Sequence, residues 1–304
     1  MSAAAFRLAV PVLGVLLLAA APAGACDLTL NGLKDIAFSG TYDAFAGAVP
    51  PQAVRFTVKN RGPHCQFAIG VNQGATGGRR MAGPGIGTLR YDILGASNRT
   101  VLDAPAPAAD GLVVGHTRTD QSQEVYATIP ASQTVSAGAY SDQLTFNIYE
   151  LVDGQPGRLH DTQTVAVRAS VGSSIRSTLI VGGVQGSLAG RVATLDFGEL
   201  RTGQSLPFEL QIDGNTPYQV TLASENLGRL AGTDTVNRES RIAYTVTMDG
   251  RGATLASPLT MPVVAPSDYG RSSNAHAFQV QIGDISQAIA GRYADNITVT
   301  VSAN

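Results

Sequence analysis

Ala137-Gly138-Ala139-Tyr140-Ser141-Asp142-Gln143-Leu144-Thr145-Phe146-Asn147-Ile148 recurs later in the chain as Ala290-Gly291-Arg292-Tyr293-Ala294-Asp295-Asn296-Ile297-Thr298-Val299-Thr300-Val301. In both, a glycine turn leads to a tyrosine, an aspartate two residues on, and a strand of alternating apolar residues. The register extends upstream, with Ile129 and Ile282 each nine residues before the glycine. Such self-similarity implies two copies of one β-domain. The copies end differently. After the first, Asp153-Gly154-Gln155-Pro156-Gly157 has hairpin-turn chemistry. Thr164 to Val171 then alternates again, with Val165, Val167, Ala169 and Val171 on one face, an extra and self-supplied final strand. After the second, Ile297, Val299 and Val301 share a face, but the sequence reaches Asn304 with no hairpin partner. The expectation is that the second copy lacks its final strand.

Outward from the repeat, the N-terminus reads as a secretory signal over residues 1–25: Arg7, an apolar run from Leu8 to Ala21, and Ala23-Gly24-Ala25 as the cleavage site. Pro11 and Gly14 interrupt that run, which is short for a membrane span. Removing it leaves 304 − 25 = 279 residues, enough for two medium domains. A net charge of −2 offers no basic field for nucleic acid. With 34 Gly and 15 Pro, and short alternating runs in place of long amphipathic ones, the chain reads as all-β. Its two cysteines, Cys26 and Cys65, would form a disulfide in an exported protein. The rival is lipidation of Cys26 at the cleavage site, which would leave Cys65 alone.

Within the first copy, strands are expected at residues 27–30, 36–38, 54–58, 65–71, 89–94, 124–129 and 144–151. Loops are expected at 40–51, 72–87 and 104–110. Gly172-Ser173-Ser174 reads as a linker. In the second copy, Leu195-Asp196-Phe197-Gly198 parallels Ile36-Ala37-Phe38-Ser39. Gly228-Arg229-Leu230-Ala231-Gly232 echoes Arg79-Arg80-Met81-Ala82-Gly83, and Tyr244-Thr245-Val246 echoes Tyr91-Asp92-Ile93.

Chemistry-bearing constellations are few. His64, His116, His160 and His276 have no metal-ligand spacing and read as surface or turn residues. Gly83-Pro84-Gly85-Ile86-Gly87 contains a proline and opens no helix, so it is a loop and not a phosphate cradle. No nucleophile elbow is present. Tyr140/Asp142 and Tyr293/Asp295 read as structural: the ring buries, the hydroxyl hydrogen-bonds and the aspartate caps a turn. Enzyme activity, a cofactor and a metal are not expected. Phe45, Val49, Met81 and Ile86, in the loops at 43–51 and 72–87, are candidates for exposed adhesive tips.

Residues 137–148 and 290–301, with Leu195–Gly198, Asn215-Thr216-Pro217-Tyr218 and the placement of Cys26 and Cys65, resemble the spore coat protein U domain family. The resemblance covers nearly the whole mature chain, twice, although the second copy has no cysteine. It implies two tandem immunoglobulin-like, pilin-like β-sandwiches: 26–171 adhesive, 172–174 a linker, and 175–304 completed by a donated strand. Family members include subunits of archaic chaperone–usher pili. The implied partners are a periplasmic pilus chaperone, an outer-membrane usher, the next pilin subunit and a surface or receptor; the implied location is the pilus tip. With Cys26 the first mature residue, no N-terminal donor extension is expected, so the subunit would accept a strand without giving one. Ile297, Val299 and Val301 would border the donor groove. The alternative is a spore-coat-like or minor pilin protein without a receptor.

Overall fold

The protein was analysed as a computed structural model that describes residues 26–46, 49–84, 87–103, 112–182, 184–185, 192–265 and 274–304. The signal-like segment, Ile86 and the Pro/Ala loop at 104–110 lie outside these residues. Among the described residues there is no helix. The first half contains β1 (Leu28–Asn31), β2 (Ile36–Tyr42), β3 (Gln52–Asn60), β4 (Cys65–Val71), β5 (Arg80–Ala82), β6 (Thr88–Arg90), β7 (Asp92–Leu94), β8 (Val113–Thr117), β9 (Gln121–Thr128), β10 (Gly138–Val152) and β11 (Gln155–Val171). The second contains β12 (Ile175–Val181), β13 (Val184–Gln185), β14 (Ser205–Gly214), β15 (Tyr218–Ser224), β16 (Arg229–Gly232), β17 (Arg241–Met248), β18 (Arg251–Ala253), β19 (Leu259–Thr260), β20 (Asn274–Ile282), β21 (Tyr293–Ala294) and β22 (Ile297–Ala303).

Alternation in sequence becomes alternation in burial. In β10, Tyr140, Asp142, Leu144, Phe146 and Ile148 point inward, and the residues between them point out. In the first half a sheet ordered β1-β3-β9-β7 faces one ordered β2-β11-β10-β4-β8. Their inward rows form one core, and Phe56 meets Phe146 edge to face across it at 5.8 Å. In the second half β13-β12-β14-β20-β17-β16-β21 faces a short sheet, β19-β15-β22, around a separate core.

The turns explain the repeat's fixed letters. Gly138 and Gly291 have φ of +138° and +148°, which side chains resist, and each launches its tyrosine inward. Asp153-Gly154 and Asp249-Gly250 have positive φ at both residues, the conformation of two-residue hairpins that match strand twist.

Three local readings are corrected. The run from Leu89 to Leu94 is broken at Tyr91, whose side chain turns into the core toward Asp142. The expected loop from Gly40 begins later, because β11 offers β2 a parallel partner as far as Tyr42. The expected loop at 72–87 contains β5, which pairs with β6 and touches β10 at Ser141.

Residues 172–174 are unpaired in ladders but held by hydrogen bonds. Asn215, 1% exposed, donates its side-chain N–H to the Gly172 carbonyl at 2.8 Å and accepts from Ser174 N–H at 2.8 Å. Its own carbonyl accepts from Ala137 N–H at 2.9 Å. Arg176 stacks over the Phe45 ring at 4.9 Å and donates to the Phe45 carbonyl at 2.6 Å.

Candidate strand-acceptor site

β22 pairs antiparallel with β15 from Tyr218↔Ala303 to Ser224↔Ile297, and with no other strand among the described residues. Its outer edge therefore presents unpaired backbone N–H and C=O groups. Its inward row, Ile297, Val299 and Val301, touches the second core but is only partly buried.

The first half shows the same positions in another state. β10 corresponds to β21–β22 and is paired on both sides, with β4 on one and β11 on the other. Tyr140, Asp142, Leu144, Phe146 and Ile148 are each 5% exposed or less. Their counterparts Tyr293, Asp295, Ile297, Val299 and Val301 are all partly exposed. β11 accounts for the difference. It lies between β10 and β2, antiparallel to the first and parallel to the second. Val165, Val167, Ala169 and Val171 are buried beneath it.

The second-half segment that corresponds to β2 also differs from it. The counterpart of β2 lies around Leu195–Phe197, and residues 192–197 form no ladder. Ala193, Leu195 and Phe197 nevertheless alternate as partly buried residues with exposed Val192, Thr194 and Asp196. Leu195 and Phe197 pack on the second core. By the repeat, residues 192–197 and β22 correspond to β2 and β10, the two strands between which β11 lies in the first half. The missing ladder at 192–197 has a simple cause: β2 is a strand because β11 pairs with it.

The Tyr-x-Asp elements anchor both copies. The Tyr140 hydroxyl donates to the Ser136 carbonyl at 2.8 Å, and the Tyr293 hydroxyl to the Ile289 carbonyl at 2.6 Å, four residues back in each case. Asp142 accepts from the Tyr91 hydroxyl at 2.8 Å and from the Ala75 and Thr76 amides. Asp295 accepts from the Tyr244 hydroxyl at 2.5 Å, from Ser224, and from the Asn226 and Asn296 amides. Burial first, and then the hydrogen bond to the aspartate, push the Tyr91 and Tyr244 phenols well above their ordinary range. These groups are structural ties, and both oxygens of each carboxylate are engaged.

Cys26 and Cys65 are joined in a disulfide that links the residues before β1 to the start of β4. The adhesive-tip candidates need correction. Met81 is fully buried in β5, because its neighbours pair with β6 and its side chain enters the core. Phe45 and Val49 rest partly buried on the same core, and Phe45 is covered by Arg176. Ile86 lies outside the described residues.

Among the described residues of the first half, the large apolar side chains that are exposed escaped sequence reading: Val114 at 52%, Val152 at 50%, Leu159 at 47% and Leu102 at 36%. Val114, Ala68, Tyr149 and Leu159 lie in one cross-strand row over β8, β4, β10 and β11. A single exposed valine in an alternating strand carries no signal of its own; the row exists only after pairing. Two histidines also differ from expectation. His276 is 7% exposed, with the Tyr218 hydroxyl at 2.7 Å and Asp249 at 2.8 Å. The His160 side chain is 6% exposed, beside Glu150 at 3.2 Å. Each is enclosed with a partner from a neighbouring strand, the facing sheet or a turn at its ring nitrogen. Among the described residues no three His, Cys, Asp or Glu side chains are grouped to hold a metal.

The sequence model of the Spore Coat Protein U domain family matches residues 13–147. No curated protein matches the sequence. Similar solved structures include the CsuC–CsuE chaperone–tip adhesion subunit pre-assembly complex from archaic chaperone–usher Csu pili of Acinetobacter baumannii. It is 14% identical, with a TM-score of 0.42, over 91% of this chain and 99% of that one. CfaE, the adhesive subunit of CFA/I fimbria of enterotoxigenic Escherichia coli, is 11% identical with a TM-score of 0.43, over 90% and 93% of the two chains. The CupB6 tip adhesin from Pseudomonas aeruginosa is 11% identical with a TM-score of 0.39, over 90% and 94%.

Proposed function

We propose that this chain is the adhesive tip subunit of a chaperone–usher pilus. Residues 26–171 form the adhesive domain and residues 175–304 a pilin-like domain completed by a strand from a partner. One observation carries the reading. Five inward positions that β11 seals in the first copy are partly exposed in the second, beside an unpaired strand edge. An apolar groove with open edges on both banks is an aggregation hazard unless something pairs with it, and strand addition removes the hazard. The order of occupants is a periplasmic chaperone first, then the next pilin subunit at an outer-membrane usher.

The tip position follows from what the first domain does with its own strands. It keeps β11 for itself, so it needs no donor. Cys26 is bonded to Cys65, and Leu28–Asn31 pairs with β3, so both are held within the first domain. The adhesive surface in this reading is the sheet face that carries the exposed Val114 and Leu159, with Val152 near the hairpin end. That end lies about 45 Å along β10 from the linker, at about 3.3 Å per residue.

The test is expression of the mature chain with and without its periplasmic chaperone. A one-to-one complex, with Val299 in crosslinking reach of a chaperone strand, is expected. A chain that is soluble, monomeric and protease-resistant alone, and that ignores the chaperone, overturns the proposal. A chain that forms the complex but gives cells no attachment favours a minor pilin or coat role.

A further inference from the structure

His64 and His116 are far apart in sequence, and strand pairing brings them together. β4 and β8 run antiparallel, with Cys65 opposite Thr117 and Gln66 opposite His116. Cys65 and Thr117 are buried, so the residues on either side of them point outward. His64 and His116 are therefore diagonal neighbours on one exposed surface, a spacing that ring side chains can span. Their ring centroids are 5.8 Å apart and their planes meet at 49°.

We propose that His64 and His116 form a two-histidine site for a late first-row divalent metal ion, Cu²⁺, Ni²⁺ or Zn²⁺. The ion's remaining coordination positions open to solvent. The assignment stands apart from the strand-acceptor and adhesive readings.

The distance suits chelation. Imidazole nitrogen binds such ions at about 2.0–2.1 Å, so two rings on one ion, at right or tetrahedral angles, have centroids about 4.5–5.2 Å apart. The observed separation is within about 1 Å of that range, and exposed rings turn freely enough to close it. Among the described residues neither ring makes a hydrogen bond, so no partner has to be given up.

The backbone beneath the pair is held in place. Asn60, 8% exposed, donates its side-chain N–H groups to the Pro63 carbonyl at 2.6 Å and to the Thr117 carbonyl at 3.1 Å. One side chain thus ties the residue before His64 to the residue after His116. The Cys26–Cys65 disulfide secures the residue that follows His64. Fixing the segments that carry two ligands reduces the entropy lost when they close on an ion.

The chain's other soft and nitrogen donors are committed. His160 and His276 are enclosed against Glu150, Tyr218 and Asp249. Both cysteines are in the disulfide. The neighbouring arginines, Arg61 and Arg118, are exposed, so solvent and salt screen their repulsion of a cation. Two imidazoles with no carboxylate select Cu²⁺, Ni²⁺ and Zn²⁺ over Mg²⁺, Ca²⁺ and Mn²⁺. Val114 is exposed on the same face, two residues back along β8. An ion here would offer its open positions to an oxygen or nitrogen donor of whatever meets that face.

The test is calorimetric titration of the untagged mature chain with CuCl₂, NiCl₂, ZnCl₂ and MgCl₂ in a non-coordinating buffer, alongside His64→Ala and His116→Ala. Both side chains are exposed, so both variants should fold, and their denaturant midpoints check this. Saturable binding is expected for the first three ions, tightest for Cu²⁺, with none for Mg²⁺. Added Zn²⁺ should slow amide exchange over 64–66 and 115–117. Each substitution should weaken Zn²⁺ binding by at least about tenfold, the smaller cost of losing even a ligand's supporting partner. Absence of binding by all three ions, or either variant binding as tightly as the parent chain, overturns the proposal.

Discussion

Leu144 and Ile297 occupy the same position in the two copies, and truncating each should cost different amounts until a donor arrives. Leu144 is 0% exposed, beneath β11 and within the first core. Removing its side chain to alanine leaves a closed void, so Leu144→Ala should cost about 2–5 kcal/mol. Ile297 packs on the second core but opens to the gap beside β22. Burying an isoleucine completely contributes about 1.5–3 kcal/mol, and a partly exposed one proportionately less. The space left by truncation also fills with solvent, so no cavity penalty is added. Ile297→Ala should therefore cost roughly 1 kcal/mol in the unoccupied chain. With a donor strand bound, the same change should rise toward the cost of Leu144→Ala, because the site is then enclosed. The chain has no tryptophan, so hydrogen exchange over 138–152 and 297–303 in graded denaturant is the suitable readout. If Ile297→Ala costs as much as Leu144→Ala without a donor, or if a bound donor leaves its cost unchanged, the groove is not open and the reasoning fails.

The disulfide closes a separation of 39 residues, which in the chain-entropy account contributes roughly 3–4 kcal/mol. Replacing both cysteines by serine should lower the denaturant midpoint of the first half and leave the second unmoved; equal loss in both halves would contradict this. Tyr91 and Tyr244 have phenols raised above the ordinary value of 10 by burial and by their aspartates. The fold binds those protons more tightly than the unfolded chain. Stability is therefore complete below about pH 10 and falls as pH rises toward the folded-state values. Tyr244→Phe should cost about 1.5–3 kcal/mol at neutral pH, for the lost bond to a carboxylate, and should flatten the alkaline slope of urea midpoints. An unchanged slope would refute the assignment. Changing Val114, Val152 and Leu159 together to serine should reduce surface attachment with pilus number and length preserved; loss of the pili themselves would mean a structural role.

Much of the architecture was legible because strands and turns carry local signatures. The alternation at 54–58 and 144–151, and the Asp-Gly turns, depend only on period and on left-handed backbone preference, and both reappear in three dimensions. What was hidden depends on partners. Met81 sits in a glycine-rich run that looks like loop, yet three residues suffice for a strand once β6 and β10 lie alongside. Val114 gives no warning of exposure, since its face is fixed by pairing with β4. Asn215 lies between Gly214 and Thr216 with no sequence sign that it would gather the linker and Ala137. His276 is enclosed only because Tyr218 and Asp249 reach it from elsewhere in the second half. The groove was legible only in part: the row Ile297, Val299 and Val301 is a periodicity statement, while the unpaired bank at 192–197 required coordinates.

The central claim is that the outer edge of β22 awaits a strand. Amide exchange across Ile297–Ala303, compared with Leu144–Val152 in the same molecule, tests it most directly. The comparison is made in the mature chain and in one extended beyond Asn304 by a hairpin turn and a donor of the 161–171 sequence. The account predicts fast exchange of the outward-pointing β22 amides in the first protein, and protection matching β10 in the second. Equal protection of β22 and β10 in the unextended chain would contradict it.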